Sequence, residues 1–274
     1  MVTIINYKKI LFSSIVVLLF LAAACKKDSS SADYSSLPVV EAYLMPNKIV
    51  EVKVSLQKAL VDTNAYGVPI SGLTLSISDG TTTKVLTEDK TGHYILNDLS
   101  FVKSKGMYSL SFTYNNLPVT ASTVVPDKPS GVVTSADTVV IPKMTFGGTE
   151  TAFVPVYIGW NNSGAYNHIV IFRYMETFKS IISSRFNSDT STSVEVNAVK
   201  TASFELTART FKYYGNYKVI VTRVNQEYLD MLNNTSTSSQ NLTNAPTNVT
   251  NGLGIFTAMQ SDTLSKNLLV KAEE

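Results

Sequence analysis

The sequence predicts an all-β protein with two β-sandwich domains after a lipoprotein signal peptide, and one short helix near residues 225–232. Three observations support this prediction: an N-terminal apolar run that ends at a single cysteine, many short segments in which apolar and polar residues alternate, and turn residues between those segments. The 274 residues are 44% hydrophobic and 16% charged, which excludes a disordered chain and suffices for one large or two ordinary domains.

The first 24 residues have the pattern of a signal peptide. Lys8 and Lys9 form a basic region, and the apolar run 10–24 follows it. A helix needs about 20 apolar residues to cross the hydrocarbon core of a membrane, and this run is shorter. We therefore interpret residues 1–24 as a cleaved signal.

The end of this signal resembles a bacterial lipobox, Leu21-Ala22-Ala23-Ala24-Cys25. The resemblance implies cleavage after Ala24 and lipidation of Cys25, although Ala22 stands where the pattern most often has leucine. The alternative is an ordinary secretory peptide that leaves Cys25 as a free thiol. Lipidation is favoured because Cys25 is the only cysteine, and an unpaired thiol is a liability in an oxidising compartment.

The residues after the cysteine bear on location. Lys26 stands where the inner-membrane retention signal of enteric bacteria has aspartate, so the resemblance implies an outer-membrane, lipid-anchored protein. Export signals of Bacteroidota surface lipoproteins are acidic here, whereas Lys26-Lys27-Asp28 has one acid, which leaves the cell surface and the periplasmic face both open. The serine-rich residues 25–36 predict a flexible tether.

Charge and residue content argue against several classes of function. The chain has 23 basic residues, and losing Lys8 and Lys9 leaves 21 against 21 acidic residues, so no nucleic-acid partner is expected. One cysteine and two histidines provide little material for a metal site. We expect no metal, no cofactor and no catalytic residue.

Residues 37–125 are predicted to form the N-terminal sandwich. Segment 51–56 alternates polar and aliphatic residues, as a half-buried strand does. Asp79-Gly80 predicts a tight hairpin turn, and Asn115-Asn116 predicts another after the apolar face of segment 108–114. About seven short strands at regular spacing indicate a β-sandwich.

Residues 126–150 contain three prolines and three glycines and predict a linker, with one strand around 138–141. Residues 151–274 predict a C-terminal β-rich domain. Its segment from Gly215 to Val221, with the order Gly-x-Tyr-x-Val-x-Val, is common near the end of immunoglobulin-like and fibronectin-like sandwiches. The fold class is therefore two sandwiches of the immunoglobulin/fibronectin-like kind.

One helix and one polar loop are predicted in this second domain. Asn225 is a candidate cap for a helix over 225–232, with Tyr228, Leu229 and Leu232 on one side. Fourteen of the twenty residues 233–252 are Asn, Thr or Ser, which predicts an exposed loop.

The order of motifs resembles a Bacteroidota outer-membrane lipoprotein family of unknown function. The motifs are Pro38 to Tyr43, Val68 to Gly80, Gly92-His93-Tyr94, Gly106-Met107-Tyr108, Trp160 with Tyr166, Asn216-Tyr217 and, the most specific, Asn248 to Phe256. The resemblance implies an N-terminal sandwich of the immunoglobulin-like or carboxypeptidase-regulatory-like kind. Members are often encoded beside TonB-dependent transporters, which implies an accessory role in uptake, and the resemblance carries over no catalytic or ligand-binding residue.

Residues that could take part in catalysis or metal binding are few and lie far apart in the sequence. His93 and His168 each lie at a strand start and are interpreted as structural, since neither has a metal-ligand neighbour and the commonest hydrolase motifs are absent. A hydrolase would require a cleft that joins one of them to an acid and a hydroxyl. Gly252-Leu253-Gly254 lacks the third glycine of a phosphate-binding loop, and Glu88-Asp89 is interpreted as a solvated hairpin tip rather than a calcium site.

Aromatic residues offer a further possibility. Trp160 and fourteen tyrosines could form a platform for a glycan, but most of them occupy alternating strand positions, which favours core packing. Two triplets, Asp137-Thr138-Val139 and Asp262-Thr263-Leu264, resemble the O-glycosylation acceptors of this bacterial group.

These observations lead to two functional hypotheses. The first is a non-enzymatic outer-membrane lipoprotein, held in the membrane by the lipid on Cys25, that serves as an accessory or binding subunit of a TonB-dependent transporter. The alternative is a glycan-binding or adhesive surface lipoprotein that acts alone. The expected partners are the membrane, a transporter, and a glycan or peptide ligand.

Overall fold

Strands dominate the chain wherever the structure describes it. The computed structural model describes residues 37–58, 67–143, 151–182, 191–198, 200–233 and 246–274. The strands of the first half are β1 (Pro38–Leu44), β2 (Val50–Leu56), β3 (Ser76–Ser78), β4 (Thr83–Val85), β5 (Thr87–Lys90), β6 (His93–Leu96), β7 (Met107–Tyr114) and β8 (Leu117–Val124).

The second half adds eleven strands and one helix to the described part of the chain. They are β9 (Val133–Thr134), β10 (Thr138–Ile141), β11 (Val156–Gly159), β12 (His168–Tyr174), β13 (Ser180–Ile181), β14 (Ser193–Ala198), β15 (Ser203–Leu206), β16 (Tyr213–Val224), α1 (Gln226–Asn233), β17 (Val249–Thr250), β18 (Leu253–Thr263) and β19 (Leu268–Ala272).

The first sandwich encloses a largely aliphatic core. A five-stranded sheet in the order β17-β8-β7-β3-β4 packs against β5, β6, β2, β1 and β18 of a larger sheet. Strand β7 shows why, since Tyr108, Leu110 and Phe112 are buried and the residues between them are exposed. Asn115 and Asn116 have φ values of 48° and 62° and connect β7 to β8, as the hairpin prediction requires.

The second sandwich has a larger share of aromatic residues in its core, six of 18 described core residues against five of 21 in the first. Strands β14, β12, β16, β19 and β10 form one layer, and the three-stranded sheet β15-β11-β9 forms the other. The core includes Trp160, Phe172, Phe211, Tyr213 and Tyr217. These strands confirm the sandwich prediction for this region, and β10 confirms the strand predicted within the linker.

One continuous sheet serves both sandwiches. Strand β18 pairs antiparallel with β16 and parallel with β1, so the two larger layers join into a single eleven-stranded sheet. Val249, Phe256 and Ala258 consequently belong to the first core, although they follow the predicted linker. The limits 37–125 and 151–274 remain predictions about chain segments, because the first core receives side chains from both.

The pairing of β1 with β18 depends on glycine. A Cβ atom at Gly254 would lie 2.0 Å from the backbone oxygen of Val40, and φ at Gly254 is 95°, a region that L residues rarely adopt. A Cβ at Gly252 would lie 2.9 Å from the backbone oxygen of Pro38. These glycines therefore allow close strand packing, which accounts for the Gly-x-Gly pattern without a phosphate site.

Helix α1 lies within one residue of its predicted limits and covers part of the large sheet. Leu229 packs with Ile169 and Val224 on the outer face of β12 and β16, and the ring of Tyr228 contacts the ring of Tyr43 on β1 at 6.1 Å. No helix among the described residues has the length and apolar character of a membrane span.

Two details differ from the predictions for this region. Asn225 directly precedes the helix, as predicted, but among the described residues no first-turn N–H donates to its side chain; its Nδ2 donates to Thr123 Oγ1 at 3.0 Å and to the backbone oxygen of Val124 at 2.9 Å. Within the predicted loop 233–252, the short strand β17 pairs with β8, since burial of Val249 in the first core outweighs the polar character of its neighbours.

Candidate functional site

The outer face of β1, β2 and β6 forms the floor of a groove of about 770 Å³. Alternation places Val40 and Val52 in the core, so Glu41 and Lys53 point to the opposite side, where the groove lies. We call this feature the β1-β2-β6 groove.

Charged side chains cross the groove in one line. Strand register places Glu41 opposite Lys53, Lys53 opposite His93, and His93 opposite Lys90, so the line spans β1, β2, β6 and β5. Neighbouring strands lie about 4.8 Å apart, which puts Lys53 and Lys90 on the two sides of His93 at about 10 Å from each other.

A second row beside this line is less polar. Val39 lies opposite Ser55, and Ser55 forms a bridge to Pro69. Leu56 also lines the groove and is only half-buried. The groove is therefore amphipathic, with a charged row along one side and an apolar row along the other.

His93 is held by an acid. Its Nδ1 hydrogen-bonds the carboxylate of Asp89, and its Nε2 lies 3.9 Å from Oε2 of Glu51. The hydrogen bond from His93 keeps the pKa of Asp89 below its usual value. The β5–β6 turn brings Asp89 to His93, so the histidine predicted to be structural has a hydrogen-bond partner four residues away in the sequence.

This pair lacks the remaining parts of a hydrolytic or metal site. No hydroxyl hydrogen-bonds His93 within the described ranges. The described residues also contain no group of three His, Cys, Asp or Glu side chains that could hold a metal ion.

Gly67 and Pro69 form one wall of the groove, and hydrogen bonds from Glu88 and Tyr94 hold the segment that follows them. The carboxylate of Glu88 accepts hydrogen bonds from the backbone N–H groups of Gly72 at 2.8 Å and Gly92 at 2.9 Å. The hydroxyl of Tyr94 donates to the backbone oxygen of Ile70 at 2.8 Å and accepts from Leu73 N–H at 3.1 Å. Glu88 thus has a structural role, and the groove wall is anchored before any ligand arrives.

The second histidine, His168, is structural. It is 1% exposed, its Nδ1 donates to the backbone oxygen of Tyr166 at 3.0 Å, and its ring packs against Trp160 at 5.4 Å. Burial lowers the pKa of His168, and the nearby Arg223 guanidinium lowers it further.

The buried aromatic residues pack in the cores of both sandwiches. Trp160 is 4% exposed, whereas Tyr157, Tyr166 and Phe178 are exposed. No ring contact joins these three in the part of the chain that the structure describes. The prediction of core packing is confirmed for Trp160 and for five tyrosines, which are Tyr94, Tyr108, Tyr174, Tyr213 and Tyr217.

A polar junction holds α1 against the first sandwich. Oε1 of Glu227 accepts hydrogen bonds from Thr123 Oγ1 at 3.0 Å and from Thr257 Oγ1 at 3.1 Å. A cavity of about 390 Å³ lies beside it, lined in part by Asn225 and Asn248. We call this the Glu227 junction. Sequence reasoning missed it, because Glu227 and Thr123 are 104 positions apart.

Sequence reasoning also missed the groove lysines, Lys53 and Lys90. Any half-buried strand carries polar residues on its solvent face, so alternation alone gives no sign of a groove. The predicted lipidation site Cys25 and the cleavage site Ala24 lie outside the described residues. In the two triplets that resemble O-glycosylation acceptors, Thr138 is half-buried in β10 and Thr263 is exposed at the end of β18.

Comparison with known families identifies the chain. Residues 28–265 match the family described as a domain of unknown function, DUF4249. The chain belongs to this family. The DUF4249 match includes the groove, the Glu227 junction and strand β18. No curated protein matches the chain.

Solved structures similar to this DUF4249 chain contain fibronectin type-III domains. The FN1-FN3 domains of chicken CNTN1 match at 12% identity over 69% of this chain and 61% of that one, with a TM-score of 0.27. A two-domain fibronectin type-III segment of chicken tenascin matches at 12% identity over 68% and 90%, with a TM-score of 0.23. The DUF4249 chain spans less than two thirds of the CNTN1 fragment.

Proposed function

We propose that this protein is a non-enzymatic, lipid-anchored outer-membrane lipoprotein that acts as an accessory or binding subunit of a TonB-dependent uptake system. The observation that carries the proposal is the β1-β2-β6 groove, whose volume of about 770 Å³ is in the usual range for ligand sites. The lipobox at Cys25 supports the anchor, and the family resemblance supports the transporter.

The groove suits binding better than catalysis. Hydrogen bonds from Glu88 and Tyr94 hold the segment that follows the groove residue Pro69, so a ligand has less order to impose at that position. The only histidine in it is engaged by Asp89 and lies near Glu51. A rigid floor with both charged and apolar positions can hold and orient a ligand without transforming it.

A lipid anchor on Cys25 would bring a ligand bound in the groove close to a transporter in the same membrane. The tether predicted from the serine-rich residues 25–36 would have a root-mean-square reach of about 20 Å and would keep the groove near the membrane surface. A transporter beside it would then meet the captured ligand at a high effective concentration, without any new contact to the ligand.

Co-purification from native outer membranes tests this proposal. A C-terminally tagged chain is solubilised in mild detergent, and its intact mass and its partners are measured by mass spectrometry. We expect a mature chain that begins at acylated Cys25, together with a TonB-dependent transporter in near-equal amount. The Cys25→Ser variant should lose the acyl mass and leave the membrane fraction, while a protein that elutes alone contradicts the transporter role.

A second candidate is a stand-alone glycan-binding or adhesive lipoprotein. The observation that favours it is the cavity of about 390 Å³ at the Glu227 junction, which is lined by Asn225, Gln226, Glu227 and Asn248. Amide and carboxylate groups make the paired hydrogen bonds that sugar hydroxyls accept and donate. Glycan-array binding that is lost in Asn225→Ala and Gln226→Ala, with no co-purified transporter, would select this candidate.

A further inference from the structure

We infer that the outer edge of β10 pairs with a second copy of this chain, so that two β10 strands join antiparallel about a two-fold axis at Val140. This edge belongs to the second sandwich and lies outside the β1-β2-β6 groove and the Glu227 junction. The inference therefore does not rest on the proposed function.

The outer edge of β10 carries backbone groups with no strand beside them. β10 ends the eleven-stranded sheet and, within the described residues, pairs with β19 alone. The N–H of Leu269 donates to the backbone oxygen of Asp137 at 2.9 Å, so the odd-numbered positions of this segment face β19. By alternation, the N–H and C=O groups of Thr138 and Val140 point away from β19.

This edge lacks features that commonly keep an exposed edge from pairing. β5, at the other end of the same sheet, has charged side chains and a bulge between Glu88 and Lys90, which hinder an added strand. β10 reads Thr-Val-Val-Ile in regular register, and Val140 is 40% exposed on the outer face. Pro142, directly after the strand, removes one N–H from the edge but leaves its carbonyl.

Charge selects the register of the pairing. With the axis at Val140, Asp137 of one copy faces Lys143 of the other, because each lies three residues from the axis. An axis at Val139 would place Asp137 opposite Ile141, which is buried and apolar. An axis at Ile141 would place Lys143 opposite the buried Val139. Opposite charges across a strand pair stabilise it, so the axis at Val140 is favoured.

The neighbours of these two charges alternate in sign. Asp137 lies 3.4 Å from Nζ of Lys266, and the N–H of Lys143 donates to the carboxylate of Glu273 at 3.2 Å. Across the join the order is therefore Lys266, Asp137, then Lys143 and Glu273 of the second copy. The charged side chains around each join are three basic and three acidic among the described residues, namely Lys143, Lys266 and Lys271 with Asp137, Glu273 and Glu274.

The pairing supplies few contacts and is therefore weak. The two Val140 residues exchange two backbone hydrogen bonds, and Thr138 N–H donates to the carbonyl of Pro142 at each end, which gives about four bonds. The area that two such short strands bury is below the roughly 1,200 Å² of a stable interface. We expect a dimer with a Kd of about 100 µM.

Sedimentation velocity of the mature full-length chain tests the inference. Cys25→Ser keeps the chain free of acyl groups, whose micelles would hide a weak dimer. Val140→Lys places two like charges at the axis and should abolish self-association, as lysines on natural edge strands do. Val140→Thr is the matched control, because it leaves the edge uncharged and should retain the dimer. Circular dichroism confirms that both variants are folded.

Charge exchange tests the register. Asp137→Lys alone and Lys143→Asp alone each turn two attractive pairs into two repulsive pairs, and each should weaken the dimer about tenfold. The double variant should dimerise like the parent, and a mixture of the two single variants should form heterodimers. Lys266→Gln removes the partner of Asp137 within the same chain and should not weaken the dimer.

The outcomes are distinct. A chain that stays monomeric well above the expected Kd overturns the inference, and so does a dimer that persists in Val140→Lys, because it uses another surface. A dimer that is lost in Val140→Lys but is unaffected by every charge variant overturns the facing of Asp137 and Lys143. The transporter role is judged separately, by co-purification.

Discussion

The two sandwiches share one sheet, and they differ in whether other elements cover its outer face. Across β12 and β16, the outer face is covered by α1 through Leu229 and its apolar neighbours. Across β1, β2 and β6, beyond the contact of Tyr43 with Tyr228, the described residues leave the outer face of the same sheet open as the groove. Buried aromatic side chains of the described residues are divided between the two cores, six in the second sandwich and five in the first. In this molecule the open sheet surface, and not the aromatic content, therefore marks the candidate site.

The largest effect on stability is expected at the β1–β18 seam, the strand pairing that joins the two sandwiches. Gly254→Ala puts a Cβ 2.0 Å from the backbone oxygen of Val40 and strains a positive φ, so we expect a loss of about 3–4 kcal/mol in the free energy of unfolding. Gly80→Ala, which also has a positive φ but has no atom within 4 Å of the added Cβ, should cost about 1 kcal/mol. Urea denaturation measures both, and equal losses would show that the β1–β18 seam tolerates the added atom.

A matched pair of tyrosines compares the two cores. The hydroxyl of Tyr108 donates to the backbone oxygen of Phe101 and accepts from Lys103 N–H, both at 2.8 Å. The hydroxyl of Tyr217 donates to the backbone oxygen of Tyr213 at 2.9 Å and accepts from its N–H at 3.3 Å. Each Tyr→Phe change removes two hydrogen bonds to backbone groups, so we expect a loss of about 1–2 kcal/mol at both positions.

The half-buried Tyr114 is the control for this pair. Its hydroxyl makes no hydrogen bond within the described residues, so Tyr114→Phe should be nearly neutral. Two unfolding transitions, of which each Tyr→Phe change shifts only one, would show that the sandwiches unfold separately despite their common sheet.

The Glu227 junction tests how firmly α1 covers the sheet. Glu227→Gln replaces a charged acceptor of two threonine hydroxyls with a neutral one, and we expect a loss of about 1 kcal/mol. Asp230→Asn lies about one turn further along the same helix and should cost less, since among the described residues the carboxylate of Asp230 accepts one hydrogen bond, from Gln226 Nε2. Hydrogen exchange of α1 should increase in the first variant and not in the second.

The smallest effect concerns His168 and pH. Burial lowers the pKa of His168 in the folded state. As pH falls below about 6.5, His168 is therefore protonated in the unfolded chain before it is protonated in the folded chain. Stability is therefore unaffected above that pH and decreases on acidification through the window below it. His168→Asn should remove this part of the pH dependence, and an identical acid profile in both proteins would exclude the histidine as its source.

Local features of the fold were predictable, whereas its long-range pairing was not. The alternation in β2 and β7, the Asn115-Asn116 turn, strand β10 and helix α1 all have signals within a few residues. The parallel pairing of β1 with β18 has no local signal other than Gly252 and Gly254, and glycines of that spacing have several explanations. For the same reason the groove could not be predicted, since Asp89 and Lys53 reach His93 through turn geometry and register, not through adjacency in sequence.

The position of β18 has a consequence for how the protein folds. Val39 to Leu44 are paired with Leu253 to Ala258, so the sheet that opens the chain is completed by residues more than two hundred positions later. Closing a loop of that length makes for a high contact order and slow folding. While synthesis proceeds from the N-terminus, β1 lacks one of its two neighbours until almost the whole chain has emerged, so a nascent or truncated chain that ends before β18 leaves one edge of this strand unpaired and prone to aggregation.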